Sequence, residues 1–499
     1  MSWLGLLVAG VVVGMVAASH RSFRIDECVV AWLAGLPDPG ALWKAVVDDR
    51  TSDLQMPFYT AFIWVWKQIF PHGEWALRLS NVPWFALGLA ALCQMMDKRL
   101  RPAVGVMLLA SPFIWFLLDD ARSYTMQLGL TMFVGACLVR LSSTAPVAAS
   151  GERAWVWALC VSTLLLFGSS MMAAIWGSAL VGAWLLARPW TQTMELLKRY
   201  WAIWIMFFLS VFALGLYYLW TLKLGARGYS AGPPRLMVIP FIFYELCGFS
   251  GLGPSRHVLR AEEGKAVLSY LPLLGVYGGL LLLTMVAGLK RLREMFSPRT
   301  LLSIFFCFLA ATVVIFLAGV ATHFRVQGRH FVPLLAPLGV LLGAGVAALW
   351  TARLPWFKAC AAGFVLLTII SCLNLRFAPR HGKEDYRTAA SIGAAALAKG
   401  EKVWWSAEPR GGLVYGLPVT PDVRPGTALA VLNESPGFLQ SKPAPDVVIA
   451  SKGDLYDNAG ALAAYLLEHH YKQVQVLIAF TVWRKEGGPN PKTEIRNPK

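Results

Sequence analysis

The feature that most constrains this chain is the recurrence of apolar runs of about 18 or more residues with few charges inside them. Inside a bilayer no water can satisfy a backbone N–H or C=O, so such runs fold as spanning helices. About eleven are legible, near 1–19, 76–96, 102–118, 124–141, 154–171, 172–187, 201–221, 267–289, 301–320, 331–351 and 356–374. The stretch 154–187 is too long for one helix, and Gly168, Ser169 and Ser170 mark a tight reversal within it. Met1 to Ser19 lacks a basic leader and a clear small-x-small cleavage site, so it reads as a retained span and not as a removed signal peptide. Only 15% of the residues are charged, against about a quarter in soluble proteins.

Orientation follows from the loops. Alternate short loops are basic, for example at Lys98, Arg99 and Arg101, at Arg188, Lys198 and Arg199, and at Lys290, Arg291 and Arg293. That side is cytoplasmic. Such loops also account for much of the net charge of +17; no nucleic-acid motif accompanies it, and a nucleic-acid partner is not expected. An odd number of spans places the C-terminus outside. The expected architecture is a polytopic α-helical membrane domain over 1–374, with a long first outward loop at 20–75. A soluble extracytoplasmic α/β domain follows over 375–499.

In that C-terminal part charge returns throughout. Asp385 to Lys399 and Asn458 to His469 read as helices. Lys402 to Ala407 and Val447 to Ser451 read as short buried strands, and Val474 to Trp483 as a last strand. The last dozen residues read as disordered. The eight cysteines are scattered without metal-type spacing. Most lie in apolar runs as inert thiols, while Cys28 and Cys247 fall on the same outward side, where pairing stays open.

Three groups of outward residues could carry chemistry. Asp26-Glu27 follows the first span, with Asp48, Asp49 and Asp53 further along the same loop. The aromatic stretch Phe58 to Phe70 then suits a helix lying in the membrane interface. Asp26 could simply cap a helix over 28–35, the plainer reading; the functional reading is a base or a metal ligand at the membrane face. Asp119-Asp120 ends the third span, followed by Arg122 and Tyr124. The third group is basic: Arg227, Arg235, Arg256, Arg260 and Lys265 in loop 222–266, and Arg325, Arg329 and His330 in loop 321–330. Arginine there runs against the positive-inside rule, and its guanidinium fork matches phosphate oxygens; contact with anionic headgroups is the plainer reading. The apolar run Leu236 to Phe249 is too short to span and could line a groove for a lipid chain.

These residues carry a resemblance. The chain resembles the GT-C glycosyltransferases of the bacterial protein-mannosyltransferase-like and aminoarabinose-transferase-like kind. The resemblance rests on Asp26-Glu27 after the first span, on Asp53-Leu54-Gln55-Met56-Pro57-Phe58-Tyr59, and on Phe70-Pro71-His72-Gly73 leading to Arg78-Leu79-Ser80. It continues in Asp120-Ala121-Arg122-Ser123-Tyr124, in Arg329-His330-Phe331-Val332-Pro333 with Pro337, and in Lys383-Glu384-Asp385-Tyr386-Arg387. Two departures are plain. The family's His-Pro is Gln55-Met56-Pro57 here, so no role for that histidine carries over, and the family's late tyrosine is His330.

The resemblance implies a GT-C fold in a bacterial inner membrane and an inverting transferase. A sugar would move from a polyprenyl-phosphate carrier to an envelope acceptor (lipid, glycan or protein) on the outer face. Asp26 would be the base, assisted by Glu27 and by Asp119 or Asp120. Asp53, Arg122, Tyr124, Arg256, Arg260, Arg325, Arg329 and His330 would hold substrate and carrier phosphate. Metal use varies within the superfamily; Glu27, Asp119 and Asp120 are compatible with Mg²⁺ or Mn²⁺ by ligand type. The rival readings are a transporter or flippase of a lipid-linked substrate and a non-catalytic envelope scaffold. A transporter would carry broken helices and midplane charge; the expected spans are nearly free of such charge.

Overall fold

The computed structural model describes residues 2–70, 73–142, 149–225, 238–256, 258–259 and 263–485. Arg227, Arg235, Arg260 and the last fourteen residues, with the expected disordered tail, lie outside them. The chain divides into two compact units, Met1–Ser19 with Leu36–His381, and His20–Gly35 with Gly382–Lys499.

The first unit is helical, and helices occupy all eleven expected stretches. Among the described residues seven helices are long and apolar enough to cross a membrane, or nine if each of two bent pairs is one span. Trp3–Ala17 is a shorter apolar helix. Helix Trp201–Lys223 exposes Phe208, Leu209 and Phe212, an arrangement that suits lipid as the surrounding medium and would be costly in water.

The stretch 102–118 is not a single straight helix: helices Arg101–Leu109 and Pro112–Leu118 meet at 56°. Pro112 has no N–H to donate, and Ser111 ahead of it takes an extended conformation at φ −74°, ψ 117°. The second bend, 116° between Met171–Ala187 and Trp190–Arg199, has the same cause at Arg188-Pro189. The reversal near Ser170 is present: helix Ala149–Ser169 stops there, and the Ser170 hydroxyl accepts the Met172 N–H at 3.2 Å to cap the next helix.

Helix Asn81–Met95 crosses helix Tyr124–Ser142 at glycines. A Cβ at Gly88 would strike the Gly129 backbone, and one at Gly129 would strike the Trp84 backbone. Small residues let the two backbones touch, as in membrane helix pairs generally. The crossing brings the start of one helix against the loop that leads into the other. Helix Pro57–Ile69 matches the expected aromatic helix and buries one face through Tyr59, Thr60 and Ile63.

The second unit is built on a six-stranded sheet: β1 (Val403–Ser406), β2 (Val419–Thr420), β3 (Ala428–Ala430), β4 (Val447–Ser451), β5 (Tyr471–Leu477) and β6 (Phe480–Lys485). The order is β2-β3-β1-β4-β6-β5. The first four in that order are parallel, and β6 pairs antiparallel with β4 and β5. Strand β1 is buried on both faces; Trp404 packs with Tyr465 and Trp405 with Phe480. Strand β4 has the expected bounds. The expected single strand Val474 to Trp483 is instead a hairpin, because the chain reverses at Ile478-Ala479 with Ala479 at φ 67°. Alanine seldom adopts that left-handed conformation, and neither residue there is a usual turn former.

Candidate functional site

In the first unit, charged residues gather where several apolar helices begin or end. Arg78 is fully buried. Its Nη1 donates to the Ser19 carbonyl at 2.8 Å, and its Nε lies 3.6 Å from Asp119 Oδ1. The same Asp119 oxygen accepts the Ser19 N–H at 2.7 Å. A second buried pair links Arg122 Nη1 to Asp53 Oδ1 at 3.1 Å. Thr51 donates to the other oxygen of Asp53. Asp120 is also buried; its carbonyl accepts from Asn81 Nδ2 at 2.8 Å, and Asn81 reaches the Leu117 and Leu118 carbonyls as well. Asn81 thereby satisfies carbonyls that the end of helix Pro112–Leu118 leaves open.

Two of the basic residues of this unit lie beside the helices that flank Asp119 and Arg122. Arg329 lies 5.7 Å from the ring centre of Tyr124, itself buried at the head of helix Tyr124–Ser142. Arg256 lies 3.9 Å above the Phe116 ring and pairs with Glu245. The His330 carbonyl accepts from Trp176 Nε1 at 2.7 Å, and its Nδ1 accepts the Gln327 N–H at 3.1 Å. A neutral His330 therefore carries its proton on Nε2. Arg325 is exposed. Within Leu236 to Phe249, residues Val238–Leu246 form a helix that buries Ile242 and Glu245.

Asp26 and Glu27 belong to the second unit. Helix Ile25–Ala34 starts earlier than expected, and Arg24, not Asp26, occupies the cap position. The capping is done by Glu27, whose Oε2 accepts the Arg24 N–H at 3.0 Å. Glu27 is fully buried, and the same oxygen accepts from Lys383 Nζ at 3.0 Å. Asp26 sits in the first turn, partly exposed. Beside it, Glu384 Oε2 accepts the Ile25 N–H at 3.0 Å, and Glu384 Oε1 pairs with Lys452. The Tyr386 and Tyr456 phenols lie in this neighbourhood. Burial pushes both well above the usual range; the Glu384 charge adds to both, and that of Asp26 to Tyr456.

The residues named for a metal do not fit one. Among the described residues no three His, Cys, Asp or Glu side chains gather as a donor set. Glu27 is compensated by Lys383 and Asp119 by Arg78. All eight cysteines, Cys28 and Cys247 included, are free thiols.

Several charged residues of these networks are missing from the site read in the sequence. Glu245 sits in an apolar run, where a buried carboxylate demands a cation; that was its signal. Arg78 stands in the resembling segment at the head of a span. Lys383 and Glu384 stand in another, and Lys452 gives no signal at all.

The architecture, a polytopic helical membrane unit joined to a small sheet unit, is the GT-C fold. No known protein family's sequence profile matches the chain, and no curated relative matches it. Among solved structures the chain shares its fold with ArnT from Cupriavidus metallidurans in the apo state, with TM-score 0.55, 15% identity, and 96% of this chain and 97% of that one covered. ArnT bound to undecaprenyl phosphate aligns with TM-score 0.52 at 16% identity and the same coverage. The Archaeoglobus fulgidus oligosaccharyltransferase in complex with Zn and sulfate aligns with TM-score 0.52 at 9% identity, covering 94% of this chain and 71% of that one.

Proposed function

We propose that this chain is an integral membrane glycosyltransferase. It moves a sugar from a polyprenyl-phosphate carrier to an envelope lipid, glycan or protein, with inversion, on the outer face of a bacterial inner membrane. The observation that carries the reading is the layer of buried, cation-compensated carboxylates, Asp53 with Arg122 and Asp119 with Arg78, at the ends of apolar helices. It lies within a fold shared with ArnT, a protein seen bound to undecaprenyl phosphate.

In this reading the acceptor's nucleophilic atom attacks the anomeric carbon on the face opposite the phosphate. The bond from that carbon to the phosphate oxygen breaks, and the carrier phosphate leaves with the electron pair. Asp26 takes the acceptor proton. Arg256, Arg260, Arg325, Arg329 and His330 hold the carrier phosphate, where fixed positive charge opposes the negative charge that develops. Asp53, Arg122 and Tyr124 line the sugar end, and the second unit faces the outer compartment.

The test is mass spectrometry of envelope glycolipids and glycoproteins from cells lacking the protein, complemented by wild type or Asp26→Asn. The reading expects a glycan product that disappears with the gene, returns with wild type and stays absent with a well-expressed Asp26→Asn. A product profile unchanged in the deletion, or fully restored by Asp26→Asn, would overturn it.

A further inference from the structure

The second unit holds a site that a parallel α/β sheet offers to ligands, and its own chain occupies it. Strand order reverses between β1 and β4, whose carboxyl ends are Ser406 and Ser451. In open α/β sheets the crevice outside such a switch point is where ligands bind. Lys452 follows β4 directly, at φ 33° and ψ 74°, a conformation uncommon outside glycine. Its ammonium pairs with Glu384, which stands just ahead of helix Tyr386–Ala398.

The group held there is the segment 22–27, through backbone and side-chain atoms. Ser22 Oγ accepts the Arg387 N–H at 3.1 Å. Phe23 N–H donates to the Tyr415 hydroxyl at 2.8 Å, and Ile25 N–H to Glu384 at 3.0 Å. On the far side of Asp26, Glu27 receives Lys383 at 3.0 Å. Asp26 is thus bracketed on both sides by anchored residues while its own side chain keeps partial exposure.

We infer that Lys383, Glu384 and Lys452 are positioning residues for Asp26: the sheet unit is a mount that fixes the first turn of helix Ile25–Ala34 and thereby aims the Asp26 carboxylate. The inference rests on the reading of Asp26 as the base. Glu384 is the pivot, because one of its oxygens holds the Ile25 N–H and the other holds Lys452. Lys452 touches no residue of 22–27 in these bonds; it acts by holding the Glu384 carboxylate in place.

The test uses the full-length protein in lipid nanodiscs, with undecaprenyl-phosphate-linked sugars extracted from a bacterial envelope titrated to saturation. Glu384→Ala and Lys452→Met are expected to lower the saturating rate at least tenfold and leave the half-saturating donor concentration within twofold. Amide exchange at residues 23–27 should rise at least tenfold, with β1 and β4 unchanged. Glu384→Gln, whose amide oxygen can still accept from Ile25, should recover part of the rate. Asp26→Asn should be inactive with wild-type exchange. An active Asp26→Asn overturns the base assignment and the inference together. An inactive Asp26→Asn beside wild-type rates in Glu384→Ala and Lys452→Met overturns the inference alone. So does faster exchange that spreads through β1 and β4 in every variant, Glu384→Gln included.

Discussion

Arg78 and Asp119 meet across a single residue: one donates to the Ser19 carbonyl, the other accepts the Ser19 N–H, and the two charges lie 3.6 Å apart. Ser19 ends the first apolar segment, so this bracket ties the first helix to the start of helix Asn81–Met95 and to the loop after Leu118. A buried pair of this kind is costly to break, because removing one partner strands the other charge away from water.

Arg78→Met or Asp119→Leu alone should therefore destabilise the protein by about 3–5 kcal/mol. The double variant should lose clearly less than the sum, because the stranded charge is gone. Thermal unfolding midpoints of the four proteins in one detergent check this. Additive losses would show that the two charges do not act as a pair.

The glycine crossing predicts a steric effect far from any charge. Gly129→Val places methyl groups against the Trp84 backbone and should lower the folded yield sharply, since overpacking that forces side-chain and backbone shifts costs about 1–3 kcal/mol or more. Gly215→Ala, on an open face of helix Trp201–Lys223, should be neutral or stabilising by up to about 1 kcal/mol. Size-exclusion profiles after extraction distinguish the two.

The buried phenols predict a stability loss at high pH. In the unfolded chain Tyr386 and Tyr456 titrate near 10. In the folded unit burial raises both, so above about pH 10 the unfolded state releases protons that the folded state keeps. Stability of the sheet unit should be flat below that pH and fall above it. Tyr386→Phe and Tyr456→Phe should flatten the fall. Exchange protection of β1 and β4 amides from pH 8 to 11, corrected for intrinsic rates, reads the effect directly.

Chelation is the fourth case. With Asp119 and Glu27 already neutralised by Arg78 and Lys383, excess EDTA should leave transfer within twofold. A loss restored by Mg²⁺ or Mn²⁺ would show that a donor set assembles from other residues.

How far the sequence spoke depended on how local the physics was. Apolar runs announce helices because the bilayer demands internal hydrogen bonding from every one of them. Val447 to Ser451 was legible because a strand covered on both faces is continuously apolar. The break at Pro112 was present in the sequence, yet hydropathy alone runs through it. Ala479 concealed the last hairpin, since its left-handed turn lacks the usual residues. The Asp53–Arg122 and Arg78–Asp119 pairs join residues far apart in the chain, and no local pattern encodes which acid meets which base. The same holds for Lys452, whose role depends wholly on where β4 ends.

The bond from Ile25 to Glu384 joins residues 359 positions apart. A ribosome adding about 5–20 residues per second needs on the order of 20–70 s to cover that distance. During that interval residues 20–35 have been made, but the sheet that receives them has not. The segment bearing Asp26 therefore cannot settle until nearly the whole chain exists. A chain terminated before β4 would lack Lys452 and could not complete the mount, however well its apolar helices had inserted. Completion of synthesis thus acts as a checkpoint on the loop at the opposite end of the polypeptide.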